Sequence, residues 1–247
     1  MKIALIGYGR MGRAVEQAAA SRGHEVVARI DVDGNPEGRG ITAESLNGAE
    51  VAVEFTVPEA APANIAALAA FGADTVSGTT GWYDRLEQVR AAVEGAGSGL
   101  IYAPNFSLGM QLFFRLARLA GRLSEGLDGY DAYVLEAHHR HKKDHPSGTA
   151  RRLAEILLAE LSGKERWELG PPDGPIDPAV LQVTAVRAGE IPGTHTVGLD
   201  GPDDRIELCH EARGRAGFAR GALAAAEWIR GRSGIFTLDN MLAEKWT

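Results

Sequence analysis

Across the first hundred residues, short apolar runs alternate with longer segments of helical period. "KIALI", "EVVARI", "EVAVEF", "DTVSG" and "GLIYA" each predict a strand, and their near-continuous apolar character predicts a sheet buried on both faces. The Ala-rich segments "MGRAVEQAAASR" and "APANIAALAAFG" predict helices between them. Strand–helix–strand repetition of this kind predicts a parallel, doubly wound α/β sheet. After "EVVARI" the chain runs straight into the polar "DVDGN", so a crossover helix is missing or replaced there.

The texture changes after Asn105. "SLGMQLFFRLARLAGRLSEG" places Met110, Phe113, Leu116, Leu119 and Leu123 at helical spacing, which predicts one amphipathic helix with these residues as its apolar face. "DAYVLEAHH" alternates as a strand does, and "PSGTARRLAEILLAELSG" predicts a second helix ending at Gly163. The Pro- and Gly-rich "GPPDGPIDP" is a loop, after which "VLQVTAVRAG", "GTHTVGL" and "DRIELCHEA" predict three more strands, taken as antiparallel. Together these describe an α+β domain with an open mixed sheet over residues 107–216. It is inserted into a first domain made of residues 1–106 and 217–247, onto which the Ala-rich "FARGALAAAEWIRG" packs back.

Composition narrows the class. Of 247 residues, 45% are hydrophobic and 24% charged, ordinary values for a soluble globular chain. The single cysteine, Cys209, rules out an internal disulfide and fits a reducing compartment. "MKIALIG" is too short for a signal peptide, and no run approaches the ~18 apolar residues of a membrane helix. A net charge of -7 argues against nucleic acid as a partner. The expectation is a soluble cytoplasmic protein with no membrane partner.

The chemistry begins at "GYGRMG", Gly7 to Gly12, which follows a strand and opens a helix. Glycines there permit a tight turn and close approach to a pyrophosphate facing the helix N-terminus. Asp31 stands about twenty residues on, at the end of the second strand, where a carboxylate accepts from a ribose diol. Two later loops also leave strand C-termini, "SGTTGW" and "APNFSLG". Gly78, Thr79 and Thr80 suit a nicotinamide riboside, and Asn105 a carboxamide. Val32 follows Asp31, while Arg10, Arg13 and Arg29 keep the neighbourhood basic. NADH is therefore the expected cofactor, with NADPH tolerated.

The second concentration of chemistry is "EAHHRHKKDHPSGTA", Glu136 to Ala150, crowded with protonatable groups in an acidic chain. A metal site is disfavoured: the helical zinc pair needs a helix, and no cysteine is near. A solvated turn explains Arg140 and Lys143 but not "PSGTA". Ser147 as N-cap would leave the amides of Gly148, Thr149 and Ala150 open to a carboxylate, with the Thr149 hydroxyl beside them. Alternation puts Glu136 and His138 on one strand face, where the carboxylate can orient the imidazole. His138 and a nearby lysine then supply protons. Glu54 and Arg205 read as strand-edge pairs, and His195 and His210 as structural, although "GTHTV" could face the pocket.

That segment resembles the signature E-x-H-H-x-x-K-x-D-x-P-S-G-T-A of the 4-hydroxy-tetrahydrodipicolinate (dihydrodipicolinate) reductase family at every fixed position. "GYGRMGR", "SGTTGW", "APNFSLG", "GEIPGTHTV" and "GFARGALAAAEWI" follow in the family's order, so the resemblance covers essentially the whole chain. It implies a Rossmann-type domain closed by the C-terminal helix, a substrate and oligomerisation domain, and a homotetramer joined through the substrate-domain sheets. It implies His138 as proton donor or acceptor, Lys142 as a second donor, and His139, Gly148 and Thr149 as contacts to a small dicarboxylate substrate. Gly7, Tyr8, Gly9, Arg10, Met11, Gly12, Asp31, Gly78, Thr79, Thr80, Ala103, Pro104, Asn105 and Phe106 would contact the nicotinamide cofactor. Two other readings remain: a related dehydrogenase acting on aspartate or a diaminopentanoate, and a non-catalytic NAD-binding protein. Both account poorly for His138 and Lys142.

Overall fold

The structure, a computed structural model, describes residues 1–246. In chain order the first elements are β1 (Lys2–Ile6), α1 (Arg10–Ser21) and β2 (Glu25–Ile30). Two 3-10 turns and the one-turn helix α2 (Ala43–Leu46) then stand in for the missing crossover helix. Next come β3 (Val51–Glu54), α3 (Ala61–Ala70), β4 (Asp74–Ser77), α4 (Leu86–Ala96) and β5 (Gly99–Tyr102). They are followed by α5 (Leu108–Ser124), β6 (Asp131–His138), α6 (Gly148–Glu160), β7 (Arg166–Leu169), β8 (Val180–Arg187), β9 (Thr194–Asp200) and β10 (Arg205–Glu211). The chain ends with α7 (Ala216–Ile229), β11 (Gly234–Thr237) and α8 (Leu238–Lys245). Two compact units result, Met1–Ser107 with Arg215 onward, and Leu108–Gly214.

In the first unit six parallel strands lie in the order β11-β5-β4-β3-β1-β2. Ile3, Leu5, Val51, Val53, Val76 and Leu100 are buried, as the apolar runs require of a sheet covered on both faces. Helix α7 packs on α1 and on β3, β4 and β5, while α3 packs on α4 and on β4. The chain leaves β1 toward β2 on one side and toward β3 on the other. The crevice beyond the C-terminal ends of β1 and β3 is therefore the topological switch point of this sheet, where open α/β sheets bind ligands.

The second unit carries a five-stranded sheet in the order β10-β9-β6-β8-β7. Strand β9 runs antiparallel to β6 and to β10, so the sheet is mixed as expected. Strand β8 is parallel to β6, which corrects the expectation that all three later strands run antiparallel. The cause is α6, which carries the chain back along β6 as a crossover connection and so obliges the later strand to run the same way. Helices α5 and α6 cover one face of the sheet, burying Phe113, Val134, Leu153, Leu157, Val183 and Val197 in one core. The other face carries Leu135 and Val186, both exposed to solvent.

Helix α5 forms where its period predicts, but its core face is not the row of leucines. Met110, Phe113, Ala117 and Gly121 are buried, whereas Leu116, Leu119 and Leu123 are exposed. Close approach to α6 selects the small residues: a Cβ on Gly121 would lie 3.2 Å from Leu157. Among the described residues, no helix is long and apolar enough to cross a membrane.

Candidate active site

The glycine turn divides its labour residue by residue. Gly7 has φ +89°, and a Cβ on it would fall 2.1 Å from the Phe55 carbonyl oxygen of the neighbouring β3 loop. A Cβ on Gly12 would fall 2.3 Å from the Gly7 oxygen, so the third glycine lets α1 press against the turn. Gly9 meets nothing within 4 Å and faces open space. Helix α1 starts just beyond Gly9 with no side-chain cap and no acidic residue in its first turn. Its first amides are thus left for a ligand, and their dipole favours an anion.

A cavity of about 360 Å³ opens at this point, lined by Gly9, Arg10 and Met11 from the turn and Gly78, Thr79 and Thr80 from the loop after β4. Phe55, Thr56, Pro58 and Arg215 complete the wall. These four were not foreseen in the sequence. The rule that ligands gather beyond strand ends would have found the β3 loop, because β3 neighbours β1. Nothing local marks Arg215. Gly78 is required by packing, since a Cβ there would overlap the Phe55 ring at 1.9 Å.

The other expected cofactor residues lie outside that lining. Asp31 is exposed at the end of β2 and caps a 3-10 turn by accepting from Val32 N at 3.0 Å. Tyr8 donates to Glu16, and Arg13 and Arg29 lie over its ring at 5.4 and 5.8 Å. Arg29 also donates to Glu16 at 2.8 Å, so its cation is already engaged. Ala103, Pro104, Asn105 and Phe106 form the loop after β5, next to β4 in the sheet. Phe106 is buried edge-on to Phe55, and the Asn105 side-chain oxygen accepts from Ser107 N at 2.8 Å.

In the second unit, strand alternation brings Glu136 and His138 to the helix-covered face of β6. Glu136 is fully buried and accepts from Ser147 N at 2.9 Å and from the Arg187 guanidinium at 2.8 Å. His138 Nδ1 lies 3.0 Å from its other oxygen, close enough for an ion pair though not aligned for a linear hydrogen bond. Burial by itself would raise the Glu136 carboxyl. The contacts with His138, Ser147 and Arg187 outweigh it and hold the group well below the usual carboxylate range. His195 adds a second ring, 5.0 Å from that of His138, with Nε2 3.2 Å from Ser147 Oγ. Gly193 keeps the space beside His138 open, because a Cβ there would stand 3.0 Å from Nε2.

Glu136, His138 and His195 could together offer three ligand atoms to a metal, all within 4.8 Å. The Arg187 guanidinium on the same carboxylate, 2.8 Å from Glu136 Oε1, opposes a second cation there. Arg187 was not foreseen as a member of this site, and His195 was read as structural with "GTHTV" allowed to face the pocket. The strand register shows them, since Glu136 pairs with His195 across β9 and His138 with Arg187 across β8. His210, by contrast, packs against Phe113.

Ser147 caps α6 by accepting from Ala150 N at 3.1 Å, so that amide is not free for a ligand as expected. Gly148 N reaches Asp144 Oδ2 at 3.4 Å, and Lys142 Nζ lies 2.8 Å from Asp144 Oδ1. Thr149 is half-buried in the first turn of α6. His139 follows at the end of β6, its backbone N–H donating to Ile191 O at 2.8 Å. Glu54, read as a strand-edge pair, is instead fully buried at the end of β3. Arg205 does pair along its strand, 3.4 Å from Glu207.

A parallel sheet with a glycine turn at its switch point, and a separate unit holding a buried acid beside a helix start, are the architecture of a dinucleotide-dependent oxidoreductase. Family models for "Dihydrodipicolinate reductase, N-terminus" and "Dihydrodipicolinate reductase, C-terminus" match residues 1–106 and 109–242. The chain belongs to the dihydrodipicolinate reductase family, whose NAD(P)H-dependent step serves lysine and diaminopimelate biosynthesis. A 4-hydroxy-tetrahydrodipicolinate reductase of Christiangramia forsetii is 40% identical over 99% of this chain and 98% of its own. One of Archaeoglobus fulgidus is 37% identical over 98% and 100%. Among solved structures, a dipicolinate-bound dihydrodipicolinate reductase from Paenisporosarcina sp. TG-14 superposes with TM-score 0.76 over 97% of this chain and 98% of that one, at 22% identity. A C. glutamicum DAP dehydrogenase in complex with DAP reaches 0.53, at 16% identity over 96% and 93%. The rival dehydrogenases thus share the fold.

Two outcomes test this geometry. Gly9→Ala should leave unfolding within about 0.5 kcal/mol of wild type yet weaken dinucleotide binding. Gly7→Ala should destabilise by at least about 1–2 kcal/mol, because its φ is positive and its Cβ clashes. Calorimetry with and without ADP separates the two effects.

The second outcome concerns His195. Its pKa is pushed down to about 4 by burial first and the neighbouring His138 second. Between pH 6.5, where a free histidine titrates, and about 4, the unfolded chain takes up a proton that the native site refuses. Stability should fall as pH drops through that window, by at most about 3 kcal/mol from this group. His195→Gln should flatten the fall, read as urea midpoints at pH 7 and 5.

Proposed function

We propose that this chain reduces 4-hydroxy-tetrahydrodipicolinate with His138 and Lys142 as proton donors and with Gly148 and Thr149 seating a substrate carboxylate. The observation that carries the reading is Asp144, whose two oxygens stand at Lys142 Nζ and Gly148 N. These two donors already accept a carboxylate between them, the group by which a dicarboxylate would be recognised. The solved relative named above is bound to dipicolinate, a flat dicarboxylate. When bound, the reduced nicotinamide would supply a hydride to the cyclic conjugated imine left once the ring hydroxyl and a neighbouring ring proton have departed as water. His138 then delivers the proton, with Glu136 fixing its ring from the Nδ1 side and Gly193 leaving Nε2 accessible. Lys142 draws the anion and backs the proton supply, His139 borders the substrate, and the Thr149 hydroxyl donates to the carboxylate. His138→Gln should lower kcat by about 10²–10⁴-fold while ADP still binds. Wild-type turnover in that variant and in Lys142→Ala would overturn the assignment.

The cofactor residues fit a dinucleotide: pyrophosphate at Gly9 to Gly12, nicotinamide riboside toward Gly78, Thr79 and Thr80, adenosine ribose at Asp31. NADH is the preferred form, with NADPH tolerated. Asp31 repels a 2′-phosphate, Arg29 is engaged by Glu16, and the neighbouring position holds Val32, 78% exposed and uncharged. Wild type should show the higher kcat/KM with NADH, and Val32→Arg should move the ratio toward NADPH. A wild-type preference for NADPH would show that Asp31 does not meet the ribose.

The chain assembles as a homotetramer through the uncovered face of the β6–β10 sheet, whose Leu135 and Val186 support that reading. Light scattering should give about four times 26.2 kDa, and Leu135→Glu should lower it.

A further inference from the structure

Glu54 is a buried acid with no cation beside it. It accepts from Ser77 Oγ at 2.6 Å, from Thr79 Oγ1 at 2.8 Å, from Thr56 N at 3.0 Å, and from the Thr56 hydroxyl. Thr56 and Thr79 both line the cavity at the switch point, on the side away from Asp31. A hydroxyl has one proton and two lone pairs. When that proton is directed at a carboxylate, only lone pairs remain for a ligand. Thr79 Oγ1 already accepts from Thr56 N at 2.8 Å, and Thr56 Oγ1 is approached by Asn64 Nδ2 at 3.4 Å, which leaves one lone pair on each. Burial pushes the Glu54 carboxyl up, opposed by the bonds from Ser77, Thr56 and Thr79.

We propose that Glu54 is a positioning residue of the dinucleotide site: by drawing in the protons of Thr56 and Thr79, it makes their side of the cavity an acceptor surface that selects hydrogen-bond donors on the nicotinamide riboside. The donors available there are the ribose hydroxyls and the carboxamide NH₂. The inference rests on the dinucleotide reading of this cavity and adds the polarity of its nicotinamide end. Glutamine at position 54 could keep an oxygen facing Thr56 and Thr79 and turn its NH₂ to Ser77 alone, whereas leucine removes the acceptor from both cavity hydroxyls. At least one hydroxyl must then turn its proton elsewhere, and a proton facing the cavity repels a ligand donor.

Titration calorimetry on the full chain with ADP, ADP-ribose and NADH separates the parts. Glu54→Leu should bind ADP within twofold of wild type and NADH at least tenfold more weakly. ADP-ribose weakened to the same degree places the selected donor on the ribose, and ADP-ribose unaffected places it on the carboxamide. NADH weakened no more than ADP would overturn the proposal. If Glu54→Leu does not fold, the pair Thr79→Ser and Thr79→Val replaces it. Serine should keep NADH affinity, valine should lose it with ADP unchanged, and equal NADH affinity in the two would overturn the proposal. Wild type failing to bind either ADP or NADH would instead strike at the dinucleotide reading itself.

Discussion

A carboxylate removed from water must be met by donors or by charge, and each unit of this chain is organised around one such group. Glu136 is met by a guanidinium, a backbone amide and an imidazole. Through those contacts it ties together β6, β8, the start of α6 and, by way of His195, β9. Removing Arg187 would leave an unbalanced charge in the core, a cost of about 3–5 kcal/mol. Glu54 is met by hydroxyls and one amide alone. It ties β3 to β4 without a cation, and its compensation can therefore be rearranged by rotating a hydroxyl.

The two solutions suit different chemistry. A carboxylate whose other oxygen is held by Arg187 keeps a fixed negative charge 3.0 Å from His138 Nδ1, where it can orient the ring. A cation at Glu54 would instead attract phosphate into the wrong end of the dinucleotide crevice. Hydroxyls give directional polarity and bring no positive charge to that end of the crevice.

Local pattern made part of this legible. Continuous apolar runs mark β1 to β5, and alternation in "DAYVLEAHH" puts Glu136 and His138 on one face before any coordinates are needed. "GYGRMG" after a strand predicts the turn, and the structure assigns a separate steric reason to each of Gly7, Gly9 and Gly12. Other features depend on partners distant in the chain. His195 and Arg187 join Glu136 only through the register of β9 and β8, some fifty residues away. Strands β7 and β11 are four-residue edge strands, too short to carry a period. The α5 leucines obey helical spacing yet face outward, because the α6 contact requires Ala117 and Gly121. Period identifies a helix, but which stripe is buried depends on the partner's shape.

Glu54 shows the same limit from the side of chemistry. In sequence it is one acid at the end of an apolar strand, and a pairing at the sheet edge is the economical reading. Its neighbours Ser77 and Thr79 lie more than twenty residues on and reach it only because β3 pairs with β4 in a register that sets Glu54 against Ser77. The parallel ladder then carries the next loop to the cavity with its hydroxyls already turned inward. A hydroxyl's direction is absent from any residue pattern. It is set by which acceptor lies within reach, and here the nearest strong acceptor is a carboxylate that water cannot screen. The polarity presented to a ligand is thus a property of the pair, strand end and loop, and neither segment read alone contains it.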